Sequence, residues 1–407
     1  MPALNASSFA LLTAAAWGVV LAVALLRRPK FAPFVGVLLG IYSLVAVALF
    51  PSSRPLAIAF TALHLSVYAS YLALTRPRMR PLAYRLLVSW PAAFFAAGTL
   101  LAWPWAVLFA LGYHPWGSWL PYLAAAIGVY QSLSTRRGDV DVVLVGPGGH
   151  RAERLGPHPH GDAREERPLR IVQITDPHLG PFMSVARLRA ICERAVASDP
   201  DLVVLTGDFL TMESHSDGDL LRDALAPLDA LPGRVFACLG NHDHEAPAVV
   251  ARAMEENGIA LLVDSSRDVE TEAGLVQIVG MDFAFRDRAS RLARVCAEHP
   301  RKPGATRIVL LHDPGAFRLL PEGEADLVLS GHTHGGQIGL TSLGLSWTIL
   351  RLFGNRVPDH GFWARGTDRM YVHRGTGHYG FPLRLGVSAE ESILRVHRPE
   401  SSPQTPR

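Results

Sequence analysis

Charge is scarce in this chain: Asp, Glu, Lys and Arg make up 18% of its 407 residues, against 49% for the hydrophobic types, and mean hydropathy is positive. That balance excludes an ordinary soluble enzyme over the full length. The deficit concentrates before residue 135, where the runs 9–26, 31–50, 56–75, 86–109 and 116–133 contain no Asp, Glu, Lys or Arg. Each spans roughly 18 to 24 residues, enough to cross a hydrocarbon core of about 30 Å. Spans without charge also argue against a transporter, whose ion or substrate path is marked by ionisable groups. Cysteine is nearly absent as well. Cys192, Cys238 and Cys296 fall in apolar patterns, so no disulfide framework is expected and the three read as reduced core residues of a cytoplasmic domain. No dense Lys/Arg stripe with interleaved aromatics occurs, which removes nucleic acid as a partner class.

The apolar third, residues 1–135, reads as an all-α, multi-span transmembrane domain of about five helices whose partner is the lipid bilayer. His64 is the one strongly polar ring inside the spans and reads as a helix-to-helix contact. Trp90, Trp103, Trp105, Trp116 and Trp119 suit the membrane interface. The first run is no cleaved signal, because its basic residues follow it and more spans come after. Arg27, Arg28 and Lys30 follow the first run, Arg76, Arg78, Arg80 and Arg85 the third, and Arg136 and Arg137 the fifth. With five spans all three clusters share one side, which the positive-inside rule makes cytoplasmic. Residues 136–168 read as a Gly-, Pro-, His- and Arg-rich linker, with an alternating patch at 140–145 that adds an edge strand; His150, His158 and His160 belong to that flexible stretch. Residues 399–407 read as a disordered tail.

The rest, 169–398, is an α/β domain. Five apolar, strand-like runs at 170–175, 201–206, 234–239, 307–311 and 326–330 each stop at a polar block: Asp176-Pro177-His178, Gly207-Asp208, Gly240-Asn241-His242-Asp243, His312-Asp313 and Gly331-His332-Thr333-His334. Near-continuous apolar strands imply a sheet covered on both faces, and such sheets bind ligands beyond the carboxyl ends of their strands. Helical spacing recurs at 183–198, 220–231, 247–257 and 289–299, and further strands are expected at 259–263, 275–281, 370–373 and 392–397. A lone histidine such as His299 reads as packing. Carboxylates, imidazoles and a neutral amide without cysteine suit Mn²⁺, Fe²⁺, Zn²⁺ or Co²⁺ and argue against a structural zinc site. So many ligands exceed the needs of one ion. Two ions about 3.5–4 Å apart, sharing a carboxylate, would generate hydroxide and clamp both sides of an in-line phosphoryl displacement.

Asp-x-His, Gly-Asp, Gly-Asn-His-Asp, His and Gly-His-Thr-His in this order resemble the calcineurin-like metallophosphoesterase family over about residues 168–398. The resemblance implies a four-layer α-β-β-α sandwich holding two divalent metal ions. It implies that Asp176, His178 and His334 hold the first ion, that Asp208 bridges, and that Asn241, His312 and His332 hold the second. His242 is then the catalytic histidine beside the leaving group. Phosphatase members carry a second Asp three residues after the bridging one, which orients that histidine; here the position is Thr211, with Asp243 or Glu213 as substitutes. The loop from Arg374 to His378 resembles a Gly-rich loop of membrane-associated members, and Arg384 is a candidate phosphate contact. The expected activity is hydrolysis of a phosphodiester or pyrophosphate bond, on a phosphorylated and lipid-linked substrate such as UDP-diacylglucosamine. The rival is a non-catalytic membrane sensor or scaffold that only binds a phosphorylated ligand.

Overall fold

The computed structural model describes residues 5–144, 153–154, 167–354, 357–378, 380 and 383–397. The chain divides into two compact units, one formed by residues 1–132 with 212–216 and 380–385, the other by the remainder.

In the first unit the apolar runs are helical, as expected, but they are not five equal spans. Ala6–Arg27, Arg54–Leu74 and Leu82–Leu101 are long and apolar enough to cross a membrane, while Ala32–Ala48 is shorter. The fourth run breaks at Ala102, and Trp103–Ala110 starts a separate helix with a proline in its first turn. Pro104, in the first turn of that helix, has no backbone N–H to continue the preceding ladder. The last run is the 14-residue helix Leu120–Leu133. His64 is a helix contact: its Nε2 lies 2.9 Å from Thr13 Oγ1 and its Nδ1 2.9 Å from the Tyr42 hydroxyl, so both ring nitrogens are satisfied in an apolar setting.

The second unit holds two sheets. The first, in the order β1-β13-β3-β4-β5-β6, contains β1 (Thr135–Val143), β3 (Leu169–Ile174), β4 (Leu202–Leu205), β5 (Val235–Ala237), β6 (Ala260–Leu261) and β13 (Ala389–His397). The second, in the order β2-β11-β12-β10-β9-β8-β7, contains β2 (Glu153–Arg154), β7 (Ser265–Thr271), β8 (Gly274–Met281), β9 (Thr306–Leu311), β10 (Leu327–Ser330), β11 (Gly361–Arg365) and β12 (Asp368–Val372). Alternation of side chains sorts the layers. Leu169, Ile171, Leu202 and Val204 meet Ile308, Leu310, Leu327 and Leu329 between the sheets. Val172, Ile174, Val203 and Leu205 turn outward against helices Val185–Ala197, Gly218–Leu225 and Pro247–Glu256, and Val309 and Val328 turn outward against Arg288–Glu298. The result is the four-layer α-β-β-α arrangement.

Residues 140–143 of the alternating patch lie in β1, an edge strand that starts earlier than its pattern, at Thr135, and runs parallel to β13, while residue 145 lies outside the described residues. His150, His158 and His160 and residues 399–407 lie outside the described residues. His299 is a packing residue, with Nδ1 3.1 Å from Ser266 Oγ and Nε2 3.2 Å from the Asp264 carbonyl.

Candidate metal centre

β3, β4 and β5 are parallel neighbours in one sheet, and β9 and β10 in the other. Each of the five polar blocks leaves the carboxyl end of one of these strands, so the folding of two sheets converts five distant segments into one cluster. The backbone is bent to serve it. Among the described residues nine other than glycine have positive φ, and five of them are expected ligands: Asp176 at 51°, His178 at 47°, Asp208 at 57°, His332 at 67° and His334 at 51°. Left-handed backbone at such residues persists only where the surroundings hold it, and it gathers at functional sites. Here Asp176 N donates to the Gly207 carbonyl and His178 N to the Asp208 carbonyl. Glycine permits the closest approaches: a side chain at Gly240 would collide with the Asp208 carboxylate, and one at Gly331 with Asp176.

The side chains form two triads. Asp176, His178 and His334 have their ligand atoms within 4.8 Å of one another, as do Asp208, His312 and His332. In the first, His178 Nε2 lies 3.2 Å from His334 Nε2, which lies 3.3 Å from Asp176 Oδ1. Asp208 joins the triads, since its Oδ2 is 3.2 Å from His312 Nε2 and 3.8 Å from His178 Nε2. Asn241, the seventh expected ligand, has its Oδ1 buried without a hydrogen-bond partner, a costly state unless an ion completes it. His312 Nδ1 lies 2.6 Å from the Thr206 carbonyl, which fixes the tautomer and leaves Nε2 as the ligand atom. Asp176 is held by Thr175 Oγ1 at 2.7 Å and by His332 N at 3.0 Å.

Electrostatics agree with a cation site. Burial works against ionised carboxylates, yet the histidines around Asp176 and Asp208 hold both well below the usual carboxylate range. Burial pulls His178 down to about 3 and also lowers His332, so both are neutral and ligand-ready. His312 is pushed up to about 10 because Asp208 and Asp176 outweigh its burial. A proton thus sits where the two carboxylates attract positive charge, and a divalent ion would displace it. The donor set of two carboxylates, four imidazoles and one amide fits two divalent ions.

His242 stands at the rim, its ring 5.6 Å from that of His178. Its backbone N–H donates to Asp208 Oδ1 at 2.9 Å. Neither residue suggested by the sequence is shown to orient it. Asp243 is fully buried and accepts from the N–H groups of Asp208, Phe209 and Gly240, each at 2.8 Å, so it staples two ligand loops together. Glu213 groups with the first unit. The carboxylate beside His242 is Glu245, whose Oε1 lies 3.3 Å from Nδ1. Burial lowers the His242 pKa, but Glu245 and Asp208 prevail and raise it. The signal was present in the sequence as His242-x-x-Glu245, one turn of a short helix. The loop after β12 does lie at the site: Thr376 N donates to the Thr175 carbonyl at 2.8 Å and Gly377 N to that of Asp176 at 3.1 Å. Arg384 is fully buried and groups with the first unit.

Comparison with known proteins agrees with this geometry. The calcineurin-like phosphoesterase family matches residues 169–336. YkuE of Bacillus subtilis, an uncharacterized metallophosphoesterase, is 30% identical over 240 residues, 56% of this chain and 79% of that one. A transmembrane protein with metallophosphoesterase domain from Danio rerio is 30% identical over 246 residues, 54% of this chain and 52% of that one. The UDP-2,3-diacylglucosamine pyrophosphatase LpxG of Chlamydia muridarum is 27% identical over 260 residues, 51% of this chain and 78% of its own. With three membrane-length helices ahead of the sheets, the chain is a membrane protein. Its ordered ligand blocks, its two facing sheets and these relatives agree, and the chain belongs to the calcineurin-like metallophosphoesterase family.

Proposed function

We propose that this protein is a membrane-anchored, two-metal phosphoesterase that hydrolyses a phosphodiester or pyrophosphate bond. The observation that carries the reading is the position of Asp208 between the two triads, 3.2 Å from His312 Nε2 and 3.8 Å from His178 Nε2, the arrangement a bridged ion pair requires. Asp176, His178 and His334 would hold one ion and Asn241, His312 and His332 the other, with Asp208 between them; the ligand chemistry suits Mn²⁺, Fe²⁺ or Zn²⁺. When bound, two such ions would supply positive charge for the transition state and acidify the attacking water. His242 carries the proton for the leaving oxygen, as general acid. The contact from Asp208 to its N–H fixes its backbone, and Glu245 at Nδ1 favours the protonated ring, whose Nε2–H is the proton offered to the substrate.

The membrane anchor and the activity for which the LpxG relative is named favour a lipid-linked diphosphate such as UDP-diacylglucosamine. The three basic clusters, read by the positive-inside rule, support a catalytic domain on the cytoplasmic side of a multi-pass anchor. A sensor or scaffold that only binds a phosphorylated ligand is the weaker reading, because all seven ligand positions are filled and six of them meet in the two triads, which a decayed site has no reason to keep. Asp208→Ala and His332→Ala are expected to abolish metal-dependent hydrolysis of a generic phosphodiester. Full activity in both variants would refute the site assignment.

A further inference from the structure

Beyond residue 134, nine large hydrophobic side chains are exposed among the described residues, and seven of them fall between 340 and 357; Val263 and Phe285 are the others. Leu343 and Phe353 are each 75% exposed and Leu352 is 69% exposed. Residues 337–354 contain a single charge, Arg351, which faces Asp359 at 3.8 Å. Exposed apolar side chains concentrated in one short segment mark an interaction site.

The segment is folded. Leu340 N donates to the Trp347 carbonyl at 2.9 Å and Gly339 bridges Thr348, closing a hairpin whose tip carries Leu343 and Leu345. A second short turn, Ile349–Phe353, presents Leu352 and Phe353. Both are braced on the metal centre. Thr333, between ligands His332 and His334, donates to the Asp359 carbonyl at 2.6 Å, and Thr348 donates to Asp359 Oδ2 at 2.6 Å. Gly336, which closes the ligand loop, packs against Leu350.

We propose that residues 340–353 form an excursion that inserts into the interfacial layer of a lipid bilayer. The chain supplies the bilayer through its own membrane-length helices, and Ser134 alone separates the apolar helix Leu120–Leu133 from β1. Aliphatic side chains with one Trp and one Phe, and a single charge that is paired, match what the acyl-chain boundary accepts. A protein partner would be met by a polar rim and enriched Arg and Tyr. Because the excursion is tied to the loop carrying His332 and His334, insertion holds the metal centre at the depth of lipid headgroups; this consequence for substrate access rests on the phosphoesterase reading, whereas the insertion does not.

The test uses the full chain reconstituted in phosphatidylcholine vesicles. The three native cysteines are buried, so Leu343→Cys and Phe353→Cys accept an environment-sensitive dye selectively, with Glu270→Cys on β7 as the solvent-facing reference. Doxyl-labelled phosphatidylcholine is expected to quench the two excursion dyes well above the reference, and iodide to quench the reference more. Quenching of the excursion by iodide alone places it in water and overturns the proposal. Quenching by neither agent means protein covers it, a second copy included, and also overturns it. Leu343→Asp is expected to lower the ratio of vesicle-borne lipid diphosphate hydrolysis to soluble aryl phosphodiester hydrolysis about tenfold. Lipid quenching with an unchanged ratio refutes the access consequence, and lipid quenching with no hydrolysis of either substrate refutes the phosphoesterase reading while leaving insertion in place.

Discussion

Replacing Glu245 by Gln isolates the part His242 plays. The contact is long, at 3.3 Å, and partly solvated, with His242 and Glu245 side chains 19% and 40% exposed. A pair of this kind contributes about 0.5–1 kcal/mol once solvent screening is counted, which corresponds to a two- to fivefold change in rate, roughly. Loss of the whole general acid in His242→Ala is far larger, about 10²–10⁴-fold. The loss in Glu245→Gln should therefore be small and selective: a few-fold drop in kcat/KM for substrates with a poorly departing alkoxide or phosphate, and little change for p-nitrophenyl esters, whose leaving group needs no proton. The direction with pH follows from the charges. Glu245 raises the His242 pKa against the opposing effect of burial, so its removal lowers that pKa and moves the alkaline limb of the rate profile to lower pH. The assay is kcat/KM across a leaving-group series and across pH. An equal loss for every leaving group, or an alkaline limb that stays in place, would refute the role given to both residues.

Glu390 is buried and bonded to Tyr371, Ser392 and Arg374. Burial opposes its charge, but His373, Arg374 and the hydroxyl partners hold it below the usual carboxylate range. A depressed folded-state pKa gives stability that is present above the unfolded value of about 4.3 and lost as pH falls below it toward the folded value. Urea melts of the wild type should weaken on acidification below that point, and Glu390→Gln should cost about 3–5 kcal/mol at neutral pH by removing the buried charge that Arg374, Tyr371 and Ser392 bond; an unchanged midpoint would contradict this. Protease added to sealed, right-side-out cells or vesicles should leave the catalytic domain intact, and digestion from the outer face would invert the proposed topology.

The five ligand blocks were legible because each follows a continuous apolar run that only a strand covered on both faces needs. β7 was not, since its sequence, Ser265–Thr271, is a half-exposed edge with no apolar run, and β11 is short and framed by glycines and arginines. Hydropathy could not see the break at Ala102, because the change lies in the backbone donor that Pro104 lacks and not in the polarity of the run. At the site, ligand identities were readable but their setting was not. The left-handed backbone at Asp176 and Asp208 and the three N–H groups collected by Asp243 arise only when β3, β4 and β5 lie side by side. Glu245 falls outside the family's pattern, whose orienting carboxylate stands three residues beyond the bridging Asp208, whereas this carboxylate sits three residues beyond His242.

The central claim is a bridged ion pair, and metal content measured on the purified chain tests it most directly. Elemental analysis of the wild type should give two divalent ions per chain, and Asp208→Ala, which removes the shared ligand, should retain markedly less of both. A wild-type chain loaded in excess metal that binds one ion or none, or an Asp208→Ala chain that keeps two, would contradict the account.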